Sequence, residues 1–226
     1  MTDLWASLVP LIIGSALVPV QIIITILLLR SQAGKLTAVA FVGGMTAVRL
    51  VQGVLFGLVL SSSDAAGSTD SGPGTVSSVL LFVVGVLFWV MAVKKIANVP
   101  DEDAPPPRWL TMTESMGPAK AFGLGALILA IGAKFWAFTL LAISTIGDAD
   151  LGQPNATITY LLYVVLAEAI HVVVIAFAVV APTRSAITLD KASMWLEAHT
   201  RHIMIGLGSV FGTWFLFKGL AGLGVI

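Results

Sequence analysis

Four ionisable residues lie deep inside long apolar stretches of this chain: Arg49, Lys134, Glu168 and His171. Holding such a group at the centre of a membrane helix costs roughly 2.5–3.5 kcal/mol on insertion scales. Each should therefore face a protein interior or a wet cavity and find a partner. Glu168 and His171 are three residues apart, which places them on one face of a helix. Glu168 is the one carboxylate at such depth, and two cations, Arg49 and Lys134, are available to oppose it. The expected arrangement pairs Glu168 with either of them. A carboxylate held in this way can exchange a proton when the pair is disturbed, and a histidine beside it changes charge near neutral pH. That is the chemistry of proton-coupled antiport, so Glu168 and His171 are the candidate coupling residues. The alternative is a static buried pair that only fixes helix packing.

A second set has the character of a binding site. Pro19 interrupts an apolar run, where it removes one backbone hydrogen bond and frees a carbonyl. Gln21 adds an amide beside it, flanked by Ser15 and Thr25. Gly132 and Ala133 precede Lys134 and permit a matching irregularity in the second half of the chain. Pro19, Gln21, Arg49, Gly132 and Lys134 are accordingly the candidate substrate-binding residues. Lys218, close to the C-terminal end, can snorkel outward and is assigned no role. Gly53xxxGly57 and Gly208xxxGly212 have the spacing that lets helices approach closely.

The elements that must position these groups follow from composition. The 226 residues are 58% hydrophobic and 11% charged, with a mean hydropathy of +1.00. A soluble domain carries about 25% charged residues, so a water-soluble enzyme and a large extramembrane domain are both excluded. Crossing roughly 30 Å of hydrocarbon takes about 20 apolar residues. Six stretches qualify, at about 4–29, 36–60, 76–97, 119–146, 157–181 and 203–225. The first is too long for a signal h-region and lacks a basic n-region, so it is expected to remain in the mature protein. Zero cysteines exclude disulfides and thiolate metal sites. No HExxH, GxSxG or Walker pattern occurs, so we expect a transporter rather than an enzyme, with no cofactor and no metal. Nothing resembles a nucleic-acid-binding patch.

Net charge is zero, but its distribution is not even. Nine of the twelve Lys and Arg residues fall in or beside the first, third and fifth connections: Arg30, Lys35, Lys94, Lys95, Arg108, Lys120, Arg184, Lys191 and Arg201. The N-terminal tail and the other two connections hold none, while carrying Asp3, Asp64, Asp70, Asp148 and Asp150. By the positive-inside rule both termini face outward and the first, third and fifth connections face the cytoplasm. Three spans per half then make the halves inverted relative to one another, a recurrent plan among secondary transporters. The expected fold is all-α and polytopic, six transmembrane helices as two inverted three-helix repeats. The halves are 1–98 and 119–226, joined by an acidic, proline-rich linker at 99–118. Residues 184–200 mix Ile187, Met194 and Trp195 with Arg184, Lys191 and Glu197, the pattern of a short amphipathic segment on the membrane face.

The run PLIIGSALVPVQIIITILLLRSQAGKLTAVAFVGGMTAVRL, with a small-residue and proline element, a basic turn and a glycine-rich second span, resembles the lysine exporter (LysE) superfamily. Within it the chain is most similar to the actinobacterial glycolipid-addressing (GAP), sulfolipid-addressing (Sap-like) group, over nearly its whole length. Where the superfamily commonly has an Asn-Pro-Lys-like element in span 4, this chain reads Gly132-Ala133-Lys134 and keeps the lysine alone. The resemblance implies inverted halves, a homodimer, and export of envelope lipids or their precursors, with membrane lipids and envelope-lipid synthesis or export machinery as partners. Three functions are carried forward. They are an exporter of an envelope lipid or glycolipid, an exporter of a small amino acid or cation, and a non-transporting scaffold of an envelope-export complex. A lipid route predicts a cavity open sideways to the bilayer, a soluble cargo a closed aqueous one, and a scaffold packed and dry polar residues.

Overall fold

A computed structural model describes residues 2–31, 33–65, 73–97, 113 and 115–226, with side chains at 2–3, 59–65, 73–77 and 80 left out. Most of the expected linker, and Asp70, therefore lie outside what is described, as does the side chain of Asp64. Among the described residues the chain is helical: α1 (Thr2–Ala16), α2 (Pro19–Leu28), α3 (Gly34–Ala65), α4 (Pro73–Ala97), α5 (Pro118–Ile131), α6 (Ala133–Asp148), α7 (Asn155–Ala167), α8 (Ala169–Val180) and α9 (Pro182–Gly222). All six apolar stretches fall on helix. Two helices, α3 and α9, are long and apolar enough to cross a membrane alone. Counting each bent pair as one span raises the number to five among the described residues.

Three helix pairs are bent at short breaks. The α1–α2 pair bends by 53°, α5–α6 by 73° and α7–α8 by 56°. The causes differ. At the first, Pro19 opens α2 at a position whose missing N–H has no intrahelical partner to lose. At the second, Gly132 is in an extended conformation (φ −74°, ψ 97°). A Cβ there would stand 2.5 Å from the Phe135 ring and 2.9 Å from the Ile128 carbonyl oxygen, so the bend requires glycine. The Trp136 indole donates to the Ala130 carbonyl at 2.8 Å, satisfying one acceptor at the broken end. The third break falls on Glu168 itself (φ −99°, ψ 2°), with neither proline nor glycine to announce it.

Helices approach closely where glycine permits. A Cβ on Gly44 would lie 2.1 Å from the Phe122 carbonyl oxygen, and one on Gly125 2.1 Å from that of Phe41, which locks α3 against α5. Along α4 and α9, Gly208 and Gly212 meet Ala92 and Trp89, so this expected glycine pair lies in a helix interface. Of the other expected pair, Gly53 meets the Tyr160 ring, but Gly57 faces open space and mediates no contact among the described residues.

Two buried clusters fill the interior. In one, Phe88, Phe138, Phe211 and Phe215 pack ring to ring with centroids 5.5–6.5 Å apart, beside Leu8, Leu11 and Tyr163. Each such aromatic pair contributes about 0.5–1.5 kcal/mol beyond area burial. In the other, Ile24, Phe41, Met45, Leu129 and Phe135 close the α2, α3, α5 and α6 contacts. The outer surface is the reverse of a soluble protein's. Val54, Leu58, Val93, Val165, Val173, Val180 and Phe217 are all more than half exposed. Apolar exposure on that scale marks a surface made for lipid.

The amphipathic segment differs from expectation. Residues 184–200 form no separate surface piece, because α9 runs unbroken for 41 residues from Pro182 to Gly222. No proline or glycine occurs between Pro182 and Gly206 to stop it. At about 1.5 Å per residue it is roughly 60 Å long, twice the hydrocarbon thickness. Its first half runs past the end of α2, where Arg30 pairs with Asp190.

Candidate functional site

The broken spans bring their polar residues together. Arg49 on α3 is wholly buried and donates from Nε to Glu168 Oε1 at 2.7 Å. This resolves the choice between the two cations. Lys134 is not brought to Glu168; it is half-buried with Nζ 4.8 Å from the Phe135 ring centroid, and makes no ion pair among the described residues. Phe135 is its neighbour in the first turn of α6, so this contact is local to the helix start. Glu168 stands at the N-terminal end of α8, where the helix dipole favours a negative group.

His171 is also wholly buried, with Nε2 3.9 Å from Glu168 Oε2. Its Nδ1 lies 2.9 Å from Thr25 Oγ1, and that hydroxyl donates to the Gln21 carbonyl at 3.0 Å. A hydroxyl has one proton to give. With that proton on the Gln21 carbonyl, Thr25 accepts from Nδ1–H, and the neutral ring presents an unprotonated Nε2 to Glu168. Nε2 has no hydrogen-bond partner among the described residues. Thr25 thus links the Gln21 backbone of α2 to the histidine ring on α8.

Pro19 and Gln21 are both buried at the start of α2. The Gln21 backbone receives Thr25, while its Nε2 is without a partner among the described residues. Gly132 acts through the bend it allows. Of the sequence-predicted residues, Gln21, Arg49, Glu168 and His171 are linked into one network with Thr25; Pro19 and Gly132 shape the breaks, and Lys134 stands apart.

Four residues were not singled out from the sequence. Tyr160 donates to the Arg49 carbonyl at 2.6 Å, and Tyr163 shares a 3.3 Å hydrogen bond with Ser15. Thr139 donates to Gln52 Oε1 at 3.1 Å. Gln52 was within reach of sequence reasoning, since it lies one turn beyond Arg49 on the same face of the helix. The tyrosines were not, because an aromatic residue in an apolar span reads as packing.

The network is rich in donors. Arg49 Nη1 and Nη2, Gln21 Nε2 and Gln52 Nε2 are buried without partners among the described residues. An unmade buried hydrogen bond costs about 1–3 kcal/mol, more for a charged group. A site built this way favours an acceptor-bearing, anionic or polyhydroxylated group. No cluster that could hold a metal is found among the described residues.

An apolar groove of about 540 Å³ lies beside the network, between α3 and α8. Thr46, one turn before Arg49, and Leu50, next to it, line the groove, as does Val172, next to His171. Its other walls are Val39, Val42, Gly43, Ala47, Ile175 and Ala176, on the apolar outer faces of the two helices. Lys218, which the sequence left without a role, lies with its Nζ 5.5 Å from the Trp214 ring centroid at the rim of a cavity of about 480 Å³.

No curated protein and no solved structure matches the chain. A family model described as Sap, sulfolipid-1-addressing protein, matches residues 8–221. That range takes in all three breaks, the buried ion pair and the lateral groove, and the chain belongs to this family.

Proposed function

We propose that the protein is a secondary transporter of the bacterial inner membrane, not an enzyme, that exports or translocates a cell-envelope lipid, glycolipid or precursor by proton-coupled alternating access. The observation that carries this reading is the Arg49–Glu168 pair, buried where bent helices meet, with His171 Nε2 3.9 Å from the second carboxylate oxygen, Oε2. A proton delivered to His171 Nε2 or Glu168 Oε2 would turn that gap into a hydrogen bond. It would also weaken the hold of Glu168 on Arg49. The freed guanidinium, with Gln21 and Gln52, would then receive the acceptor oxygens of a cargo headgroup. The groove between α3 and α8 supports a lipid cargo: it would hold an acyl chain against the sequence neighbours of Arg49 and His171, and the headgroup would reach the enclosed pair once the proton loosens it. Broken helices with buried polar groups at mid-depth are a recurrent transporter device, and the family's description names a sulfolipid.

The supporting architecture is six spans in two inverted halves, with both termini outside and a homodimer as the working unit. Spans 1 and 4 both break, as repeats would require. Span 5 breaks while span 2 is continuous, so the halves have diverged. A non-transporting scaffold of envelope-lipid machinery is the second reading, favoured by the complete enclosure of Arg49 and His171. The unpartnered guanidinium nitrogens weigh against it, because a dry structural pair has no use for them.

Reconstituted vesicles decide between these readings. With an imposed proton gradient, wild-type protein should move a labelled envelope lipid across the bilayer and Glu168→Gln should not. Movement of amino acids but not lipid would establish the soluble-cargo alternative. Movement of neither, with an envelope-lipid profile that changes in a deletion strain but not with Glu168→Gln, would leave the scaffold.

A further inference from the structure

Away from the buried pair, α4 and α9 enclose a pocket of about 460 Å³ lined by Met91, Lys94, Lys95, Glu197, Thr200, Arg201 and Met204. It contains three cations and one carboxylate. Arg201 donates from Nε to the Lys95 carbonyl at 2.9 Å and from Nη2 to the Ile96 carbonyl at 3.0 Å. These bonds close the C-terminal end of α4, whose last carbonyls have no intrahelical partners, and hold the two helices in register. The pocket is thus preformed by a guanidinium that is already anchored. Lys94 and Lys95, in the last turn of α4, are exposed and make no ion pair among the described residues. Met91 and Met204 supply an apolar floor on the side where both helices enter their lipid-facing stretches. Thioethers adapt to irregular apolar partners.

Cations at the rim, thioethers below and a location where a spanning helix ends match an amphiphile with an acidic head. Basic pockets between membrane helices are recurrent binding places for anionic lipid headgroups. We propose that this pocket binds an anionic membrane lipid through its phosphodiester headgroup, which Lys94 and Lys95 hold while Met91 and Met204 contact the chain. The site lies on other helices than the Arg49–Glu168 network and does not depend on the transport reading. Topology alone would explain basic residues at a span end, but not their convergence with Arg201 and two methionines on one pocket.

The test uses the full chain in neutral phosphatidylcholine nanodiscs, with and without phosphatidylglycerol, read by thermal unfolding. A ligand at about 100 times its Kd should raise Tm by about 5 °C or more in a chain of this size. Lys94→Gln/Lys95→Gln should abolish the rise and leave Tm in the neutral discs unchanged. Lys94→Arg/Lys95→Arg should retain it, as should Lys191→Gln, an exposed lysine elsewhere on α9. Should the double glutamine variant not fold, Thr200→Asp places a negative charge at the rim with both lysines intact, and it too should remove the rise. A full rise in the glutamine or Thr200→Asp variant would overturn the proposal. So would an equal loss in Lys191→Gln, which would indicate diffuse surface charge. An equal rise from glycerol phosphate in neutral discs would identify a soluble-anion site instead.

Discussion

Glu168→Gln and Arg49→Gln remove the same ion pair from opposite ends, and the structure predicts unequal costs. Arg49 has no exposed surface and Glu168 has 3%. Removing one partner of a buried pair costs about 3–5 kcal/mol, because the other charge is left uncompensated. The two survivors differ, however. A stranded carboxylate can neutralise itself by taking up a proton, whereas a guanidinium cannot be deprotonated in a protein. Glu168→Gln should therefore bear the full cost of about 3–5 kcal/mol. Arg49→Gln should lose about 1–3 kcal/mol, the value of a hydrogen bond to a charged group. At about 2–4 °C per kcal/mol in a chain of this length, Glu168→Gln should lower Tm by about 10 °C and Arg49→Gln by clearly less. The double variant should regain stability relative to Glu168→Gln alone, with a coupling of about 2 kcal/mol. The assay is thermal unfolding of purified protein in detergent, followed by the fluorescence of its six tryptophans. Equal losses in the two single variants, or additive losses in the double, would refute the reasoning.

Gly125→Ala should be among the most damaging small substitutions, at about 1–3 kcal/mol or more, since its Cβ would meet a backbone oxygen at 2.1 Å. Gly57→Ala, in open space, should be neutral or gain up to about 1 kcal/mol of helix propensity; unfolding measurements on the pair check both. Thr25→Val removes the acceptor for His171 Nδ1–H, so its loss of about 1 kcal/mol should be accompanied by a changed pH profile of transport. A profile identical to wild type would separate His171 from coupling. Ala47→Trp fills the groove between α3 and α8 and should slow lipid movement several-fold while leaving Tm within about 2 °C. Unchanged transport would remove the groove from the route.

How far the chain could be read in advance follows from what a bilayer makes visible in sequence. Length and hydropathy mark the spans, and the cost of an ion at mid-depth marks Arg49, Glu168 and His171, because such residues are retained only where they are partnered. Breaks are legible when a residue forces them: Pro19 and Gly132 were, and Glu168 was not. Span 5 bends at a good helix former, one whose own carboxylate is turned towards a cation on another helix. Partner choice was invisible for a related reason. Arg49 and Lys134 sit at similar depth, and nothing in their neighbours distinguishes them. The choice was decided in the assembled fold, where the continuous α3 presents Arg49 to the third break and Lys134 rests against its own neighbour Phe135 in the first turn of α6. The hydroxyl relay from the Gln21 carbonyl through Thr25 to His171 lay further still beyond sequence, since it joins positions 146 residues apart. Coupling in such a site is therefore to be sought at the joint between helices. A proton on Glu168 or His171 acts where α8 begins, at the same residue about which span 5 bends.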